Sequence, residues 1–274
     1  LSESAIIPGQ GVMKGHVLAK AKGPILVTSG EGKSDSTGLK RRGKVLGGGA
    51  SKKDRDLRIQ LRSDFRSVRQ SKRISDKIGQ RFFAYNESGL REPLAKALTD
   101  QTIELKVLSR YKDNYPRYLE VVRHIAFRET PVARHVRMEK LKSQLLDPDM
   151  TENAALQLEA IGNDSIPILR TGLKHPDLEV RFNSAVALAY LGQAEAIPVL
   201  GEAAVQERAF RVYALAALST IDDGETHLLL RNLTNAQIDS DGKATDSAEL
   251  RYGAFRALWT LDKRDPYLNG EMMK

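Results

Sequence analysis

Cysteine is absent from the 274-residue chain, which excludes disulfides, thiolate nucleophiles and cysteine-bound metals. No apolar run approaches the roughly 18 residues that a membrane-crossing helix needs. Histidine is scarce. His16, His124, His135, His175 and His227 are the full set, and none stands at metal-ligand spacing from a second ligand. Satisfied or surface roles are expected for them. No nucleophile elbow occurs, and no carboxylate pair stands out from the general charge. Ser29-Gly30-Glu31-Gly32-Lys33-Ser34 resembles a phosphate loop in part. However, Val27 stands where that loop needs its first glycine, and no apolar helix follows. These absences predict a chain that is no enzyme and takes no cofactor or metal. Leu1 rather than Met opens the sequence, and it holds no basic-then-apolar segment, which leaves targeting open. Lack of thiols suits an exported protein but chooses no compartment.

Charge is unevenly shared. The net +8 combines 31 Lys and Arg against 17 Asp and Glu in residues 1–150 with 12 against 18 in residues 151–274. The halves therefore carry +14 and −6. Such polarity suggests an anionic partner for the first half: nucleic acid, lipid headgroups, cell-wall polymer or an acidic protein. The plainer readings are a solvated basic face, or attraction between opposite halves in a homo-oligomer.

What the chain does have is a repeat. Arg181, Arg211 and Arg251 open three equivalent apolar runs. A degenerate first copy lies at Ala155–Ile161. The pairs Leu158/Ile161, Leu188/Leu191, Leu218/Ile221 and Leu258/Leu261 recur after 30, 30 and 40 residues. The longer interval holds a polar insert, Asp239–Ser247. A fixed period of this size means stacked units, each too small to bury its own apolar face. Ile166-Pro167-Ile168-Leu169 and Ile197-Pro198-Val199-Leu200 are near-copies, each with a proline placed for the first turn of a second helix.

Ahead of the repeats the pattern differs. Residues 1–13 read as a loose arm with turn chemistry at Pro8–Gly11. His16–Val27 reads as extended, and Thr28–Lys44, rich in Gly, Ser and Lys, as a long mobile loop. Leu57, Ile59 and Leu61 alternate with polar residues, which predicts a strand over 56–62. From Ser63 the period changes. Val68, Ile74, Ile78 and Phe82 predict an amphipathic helix, with Asp64 or Ser67 as its N-cap. Ile103, Leu105 and Val107 predict another strand. Pro116–Phe127 predicts a second helix with Leu119, Val122 and Ile125 inward. The order suggests an α+β domain, a small sheet with two covering helices, over residues 14–130. A connecting helix over 131–149 then leads into an all-α array over 150–274. Arg69, Lys72, Arg73 and Lys77 line the first helix and are candidates for an anionic partner. The competing reading is that this helix simply covers the sheet, and no aromatics interleave for base stacking.

Two resemblances follow from these residues. Pro176-Asp177-Leu178-Glu179-Val180-Arg181, the Ala185/Leu188/Leu191 face and Ala196-Ile197-Pro198-Val199-Leu200 resemble bacterial HEAT repeats. That family scaffolds protein–protein contact, and Arg181, Arg211 and Arg251 match its recurring structural arginine. Gly15–Ile25, Gly43–Ala50, Leu57–Phe82 and Ala97–Ile103 resemble, in order and spacing, the P-ring protein of the bacterial flagellar basal body. The opening part of that family is missing here, and the helical array replaces its closing segment. The resemblances together imply a structural or assembly protein of the cell envelope or periplasm, with a protein partner on the array. A contact surface is expected near Arg208, Glu225 and the 239–247 insert. The alternatives are an intracellular or cytoplasmic adaptor whose basic domain binds nucleic acid, and an enzyme's accessory subunit.

Overall fold

The computed structural model describes residues 2–7, 11–23, 26–27, 43–44, 49–52, 56–235 and 247–268. The chain divides into two compact units, Leu1–Asp56 and Leu57–Lys274.

The first unit is made of short antiparallel ladders. β1 (Ser2–Ile7) pairs with β2 (Gly11–Val17), with Ile7 opposite Gly11. β3 (Ala19–Ala21) pairs with β6 (Gly49–Ser51), and β4 (Leu26–Val27) with β5 (Gly43–Lys44). The expectation of a loose arm over residues 1–13 is therefore corrected. Two short extended segments separated by Pro8-Gly9-Gln10 can satisfy each other's backbone groups, and they do so. Residues 28–42, read from sequence as a mobile loop, lie outside the described residues.

The second unit opens on β7 (Leu57–Gln60), which is an edge of the three-stranded antiparallel sheet β10–β11–β7. The rest of its α+β part comprises α1 (Val68–Arg81), β8 (Phe83–Tyr85), β9 (Arg91–Pro93), β10 (Ala95–Ala97), β11 (Thr102–Leu105) and α2 (Tyr115–Arg123). Ser67, with extended backbone, accepts the Gln70 N–H and so caps α1. The helix covers the sheet with small residues as well as large ones: Ser71, Ser75, Ile78 and Gly79 are buried. A Cβ on Gly79 would lie 2.6 Å from Pro93 Cβ, so only glycine lets β9 approach this closely. Ser75 Oγ donates to the Ala95 carbonyl at 3.0 Å, tying α1 to β10. Val68, assigned from sequence to the apolar stripe, is instead exposed, because it sits in the first turn before the helix reaches the sheet. α2 turns Tyr118, Val121 and Val122 inward.

Eight further helices follow in two layers among the described residues. α4 (Thr151–Ile161), α6 (Leu178–Tyr190), α8 (Arg211–Leu218) and α10 (Ala248–Leu261) stack in one row. α3 (Pro131–Leu145), α5 (Ile166–Gly172), α7 (Ile197–Gln206) and α9 (Gly224–Thr234) each pack on the helix of the row that follows. The repeat leucines Leu158, Leu188, Leu218 and Leu258 are all fully buried. α3 buries Leu141 and Leu145; it is the first layer's partner rather than a free connector. The insert at 239–247 falls outside the described residues except for Ser247, which accepts the Leu250 N–H and caps α10. Among the described residues no helix is long and apolar enough to cross a membrane.

The boundary drawn from sequence at residue 130 is corrected. Ile78, Phe82, Ile103, Tyr111 and Tyr118 belong to one continuous core with Leu145, Leu158 and Leu188. The reason lies in Glu159 of α4, whose side chain has no solvent exposure. Its Oε1 accepts the Tyr111 hydroxyl at 2.6 Å, and its Oε2 accepts Arg117 Nε and Nη2 at 3.1 and 2.5 Å. Its backbone carbonyl accepts Arg81 Nε and Nη2 at 3.0 and 2.8 Å. Tyr111 stacks on Tyr190 of α6 at 4.7 Å, and Asn114 Nδ2 donates to the Tyr190 hydroxyl at 2.9 Å. Burial, with the Glu159 carboxylate beside it, pushes the Tyr111 hydroxyl's pKa well up. Burial alone would lower that of Arg117, but Glu159 outweighs it and holds the guanidinium charged. Removing one partner of a buried ion pair costs about 3–5 kcal/mol, against about 0–1 for an exposed pair. Glu159→Ala should therefore lower the urea-unfolding free energy by about that larger amount, while breaking the exposed Arg134–Asp164 pair with Arg134→Ala should barely move it. Equal small losses for the two variants would contradict this assignment.

Candidate functional site

Among the described residues α10 is the last helix of the row, and it carries large aromatic side chains on its outer side. The positions four residues beyond each repeat arginine are Ala185, Leu215 and Phe255. The first two are 0% and 4% exposed, whereas Phe255 is 39% exposed. Phe182, one residue past Arg181, is buried and stacks on Phe210 at 4.4 Å, whereas its counterparts Val212 and Tyr252 are 72% and 62% exposed. Trp259, the chain's single tryptophan, is 43% exposed and lies 6.2 Å from Phe255. Tyr252, Phe255 and Trp259 follow i, i+3, i+7 spacing and so form one stripe. The opposite side of α10 is apolar too, with Leu250, Ala254, Ala257 and Leu258 buried. A helix apolar on both sides asks for cover on both.

Beside this stripe runs a groove between α8 and α10, floored by Val212, Leu215, Ala216 and Gly253, with Tyr252 and Arg256 on its wall. A Cβ on Gly253 would come within 2.6 Å of Leu215 Cδ1, so glycine sets how closely α10 settles on α8. Arg208 stands at the groove's rim, joined to Glu249 at 2.8 Å. Glu225 lies in the first turn of α9, in the other layer, and does not line the groove. The two residues singled out from sequence are thus not brought together.

The repeat arginines fasten layers. Arg181 Nη1 donates to the His175 and Pro176 carbonyls at 3.0 and 2.7 Å, in the turn after α5. Arg211 Nε donates to the Ala204 carbonyl at 2.9 Å and Nη2 to that of Val205 at 3.3 Å. These are last-turn acceptors of α7, where positive charge also meets the helix dipole favourably. Arg211 Nη1 also donates to Ser247 Oγ at 3.0 Å. Arg251 occupies the matching place at the start of α10, half-buried.

At the far end, Asp265 is buried beneath α9. Arg231 Nη2 donates to its Oδ2 at 2.8 Å, the Tyr267 N–H to its Oδ1 at 3.0 Å, and His227 Nδ1 lies 3.3 Å from Oδ2. Burial would raise this carboxyl's pKa, but Arg231, Tyr267 and His227 together outweigh it and hold it below its ordinary value.

The four cations of α1 share its open face. Arg69, Lys72 and Arg73 are exposed and Lys77 half-exposed. Lys72 lies 3.7 Å from Asp76, and Lys77 Nζ donates to Gln80 at 3.2 Å. They form a basic strip that does not adjoin the groove on α8 and α10. His124 is half-buried at the end of α2, where burial lowers its pKa. His175 Nδ1 accepts the Asp177 N–H within a turn. Among the described residues no three histidine, aspartate or glutamate side chains are placed to hold one metal ion.

Residues 138–222 match the family of HEAT repeats. The matched stretch runs from within α3 to just past α8, so it contains three of the four helices of the stacked row and stops short of the exposed stripe on α10. It does not reach residues 14–130. No curated protein matches the chain. HEAT-like repeats suggest a role in protein–protein interaction.

Sequence reasoning assigned Phe255 and Trp259 to the repeat's apolar run without seeing that α10 has no following layer among the described residues. The available signal was the excess of aromatics in that copy over the alanines in the earlier ones.

A group whose pKa is depressed on folding stabilises the fold at any pH above its unfolded value, here 3.8, and that stabilisation is lost as pH falls through the folded value. Asp265→Asn should therefore cost on the order of 2 kcal/mol at neutral pH. The gap between variant and parent should close in acid, below the ordinary carboxylate range. Urea midpoints at both pH values check this, and a gap independent of pH would contradict it.

Proposed function

We propose that this chain is a non-enzymatic assembly protein whose HEAT-like array captures a protein partner on α10. The carrying observation is the outward stripe of Tyr252, Phe255 and Trp259. These are residue types that dominate binding energy when desolvated at an interface, and Arg256 and Arg208 stand at the border of the stripe. The occupant that fits is a helix of the partner, stacked where the next layer of the row would lie. Support for a place in the cell envelope comes from the likeness of residues 14–130 to P-ring proteins, and from the excess positive charge of the first half. In this reading the α+β part docks and the array holds the partner.

The test is a photoreactive side chain placed at position 252 in the full-length protein in its native cells. A discrete protein adduct is expected, and Phe255→Ala with Trp259→Ala should reduce its yield by about tenfold, as loss of a hot-spot pair does. The same adduct formed as efficiently from position 140 on α3 would contradict the site. Recovery of the protein entirely with soluble cytosol would contradict the envelope placement.

A further inference from the structure

A second surface lies on the α+β part, far along the chain from the array's end. Among the described residues β7 is paired on one side alone: its register partners all come from β11. Ile103 and Leu105, opposite Ile59 and Leu57, are 0% and 1% exposed, yet Ile59 and Leu57 themselves are only half-buried. The missing cover is on the open side of the strand. The Leu61 N–H donates to the Gln101 carbonyl at 2.7 Å, so by the alternation of strand amides the neighbouring Gln60 N–H faces the open side.

That open side leads into a groove between β7, α1 and the turn at 127–128. Its floor is apolar, made by Leu61, Phe65, Ile74 and Phe127, and Phe65 is 56% exposed. Its rim carries Arg62, Arg73 and Arg128, and among the described residues no carboxylate lines it. An open strand edge, an apolar floor and a one-signed rim are three separate features that select the same ligand chemistry.

We propose that this groove binds an extended, acidic segment of a partner protein. The segment adds to β7 as a fourth strand, sets an aliphatic or aromatic side chain against Phe65 and Phe127, and places carboxylates on the three arginines. Main-chain pairing supplies affinity in strand addition, and pockets for alternate side chains supply specificity. Charge complementarity steers the encounter and excludes basic sequences. A nucleic-acid strand fits less well, because it cannot continue the ladder from the Gln60 amide. This surface is independent of the stripe on α10, and either can fail without the other.

The experiment uses the full chain and a fluorescein-labelled peptide of alternating Glu and Val, about six residues long to match a typical strand. Saturable anisotropy is expected. Replacing the valines by serine, or the glutamates by lysine, should weaken binding at least about tenfold, and so should the triple change Arg62→Ala, Arg73→Ala, Arg128→Ala. Gln60→Pro removes the outward amide at a strand edge, where proline is tolerated; with the fold intact by circular dichroism, it should also abolish binding. The proposal is overturned by absence of saturable binding, by a Glu–Ser peptide binding as tightly, or by the arginine variant binding unchanged. Tighter binding of oligothymidylate or of phosphatidylglycerol vesicles overturns it as well.

Discussion

A carboxylate without solvent sits at the centre of the second unit, and the rest of that unit is arranged to satisfy it. Burying an ion costs several kcal/mol unless partners replace its water. Glu159 obtains them from outside the array: the Tyr111 hydroxyl, the Arg117 guanidinium and, on its carbonyl, Arg81. Each donor lies on the α+β part, 42 to 78 residues earlier in the chain. The end of α1, the turn before α2 and α2 itself are thereby fixed against α4. The Tyr111–Tyr190 stack extends the same joint to α6. Glycines make room for it: Gly162 and Gly192 have positive φ, and a Cβ at either would press on Arg81 or Arg110. An apolar core alone would tolerate sliding of the sheet over the helices. A buried carboxylate with one oxygen held by two guanidinium N–H groups and the other by a tyrosine hydroxyl does not.

With that joint in place, two surfaces of the unit stand uncovered among the described residues. A helical row buries each layer under the next, and α10 has no following layer among the described residues, so its outer aromatic side stays exposed. An antiparallel sheet satisfies each strand from both sides except at its margin. Tyr252, Phe255 and Trp259 mark the first edge, and β7 with Phe65 marks the second. Edges of this kind are liabilities that proteins usually blunt with charge. Here the charges that line the groove beside the strand edge are, among the described residues, all positive and stand on the rim of an apolar floor, an arrangement that selects a ligand as well as discouraging self-association.

Much of the array was legible from sequence because its cause is local and periodic. The leucine at each repeat, the Pro-Asp turn before α6 and the first-turn prolines of α5 and α7 act within a few residues of where they stand. Asp177 accepts the Glu179 N–H at 2.8 Å, as its place in the sequence implies. Ser67 as the cap of α1 is of the same kind. What was not legible depends on partners far away. Glu159 lies inside the most degenerate repeat copy, where a charged residue reads as a solvent-facing position. Tyr111 stands in no periodic run, and its burial follows from Glu159 of α4 and Tyr190 of α6. Val68 satisfies the helical period but stands one turn ahead of the sheet. The pairing of β1 with β2 rests on backbone bonds that side-chain pattern does not announce. The candidate sites were only partly visible for the same reason: Arg208 and Arg73 stand out as charges, but Phe255 and Phe65 look like core until the missing neighbour is seen.

The central claim is that the sheet part and the array unfold as one body because of the Glu159 joint. Native-state hydrogen exchange in rising urea measures this directly, by comparing the opening free energy of the β11 amides with that of the α4 and α6 amides. The account predicts that they converge on one value, with the β11 amides no easier to open than the helices. Early, separate opening of β11 while α4 and α6 stay protected would contradict it.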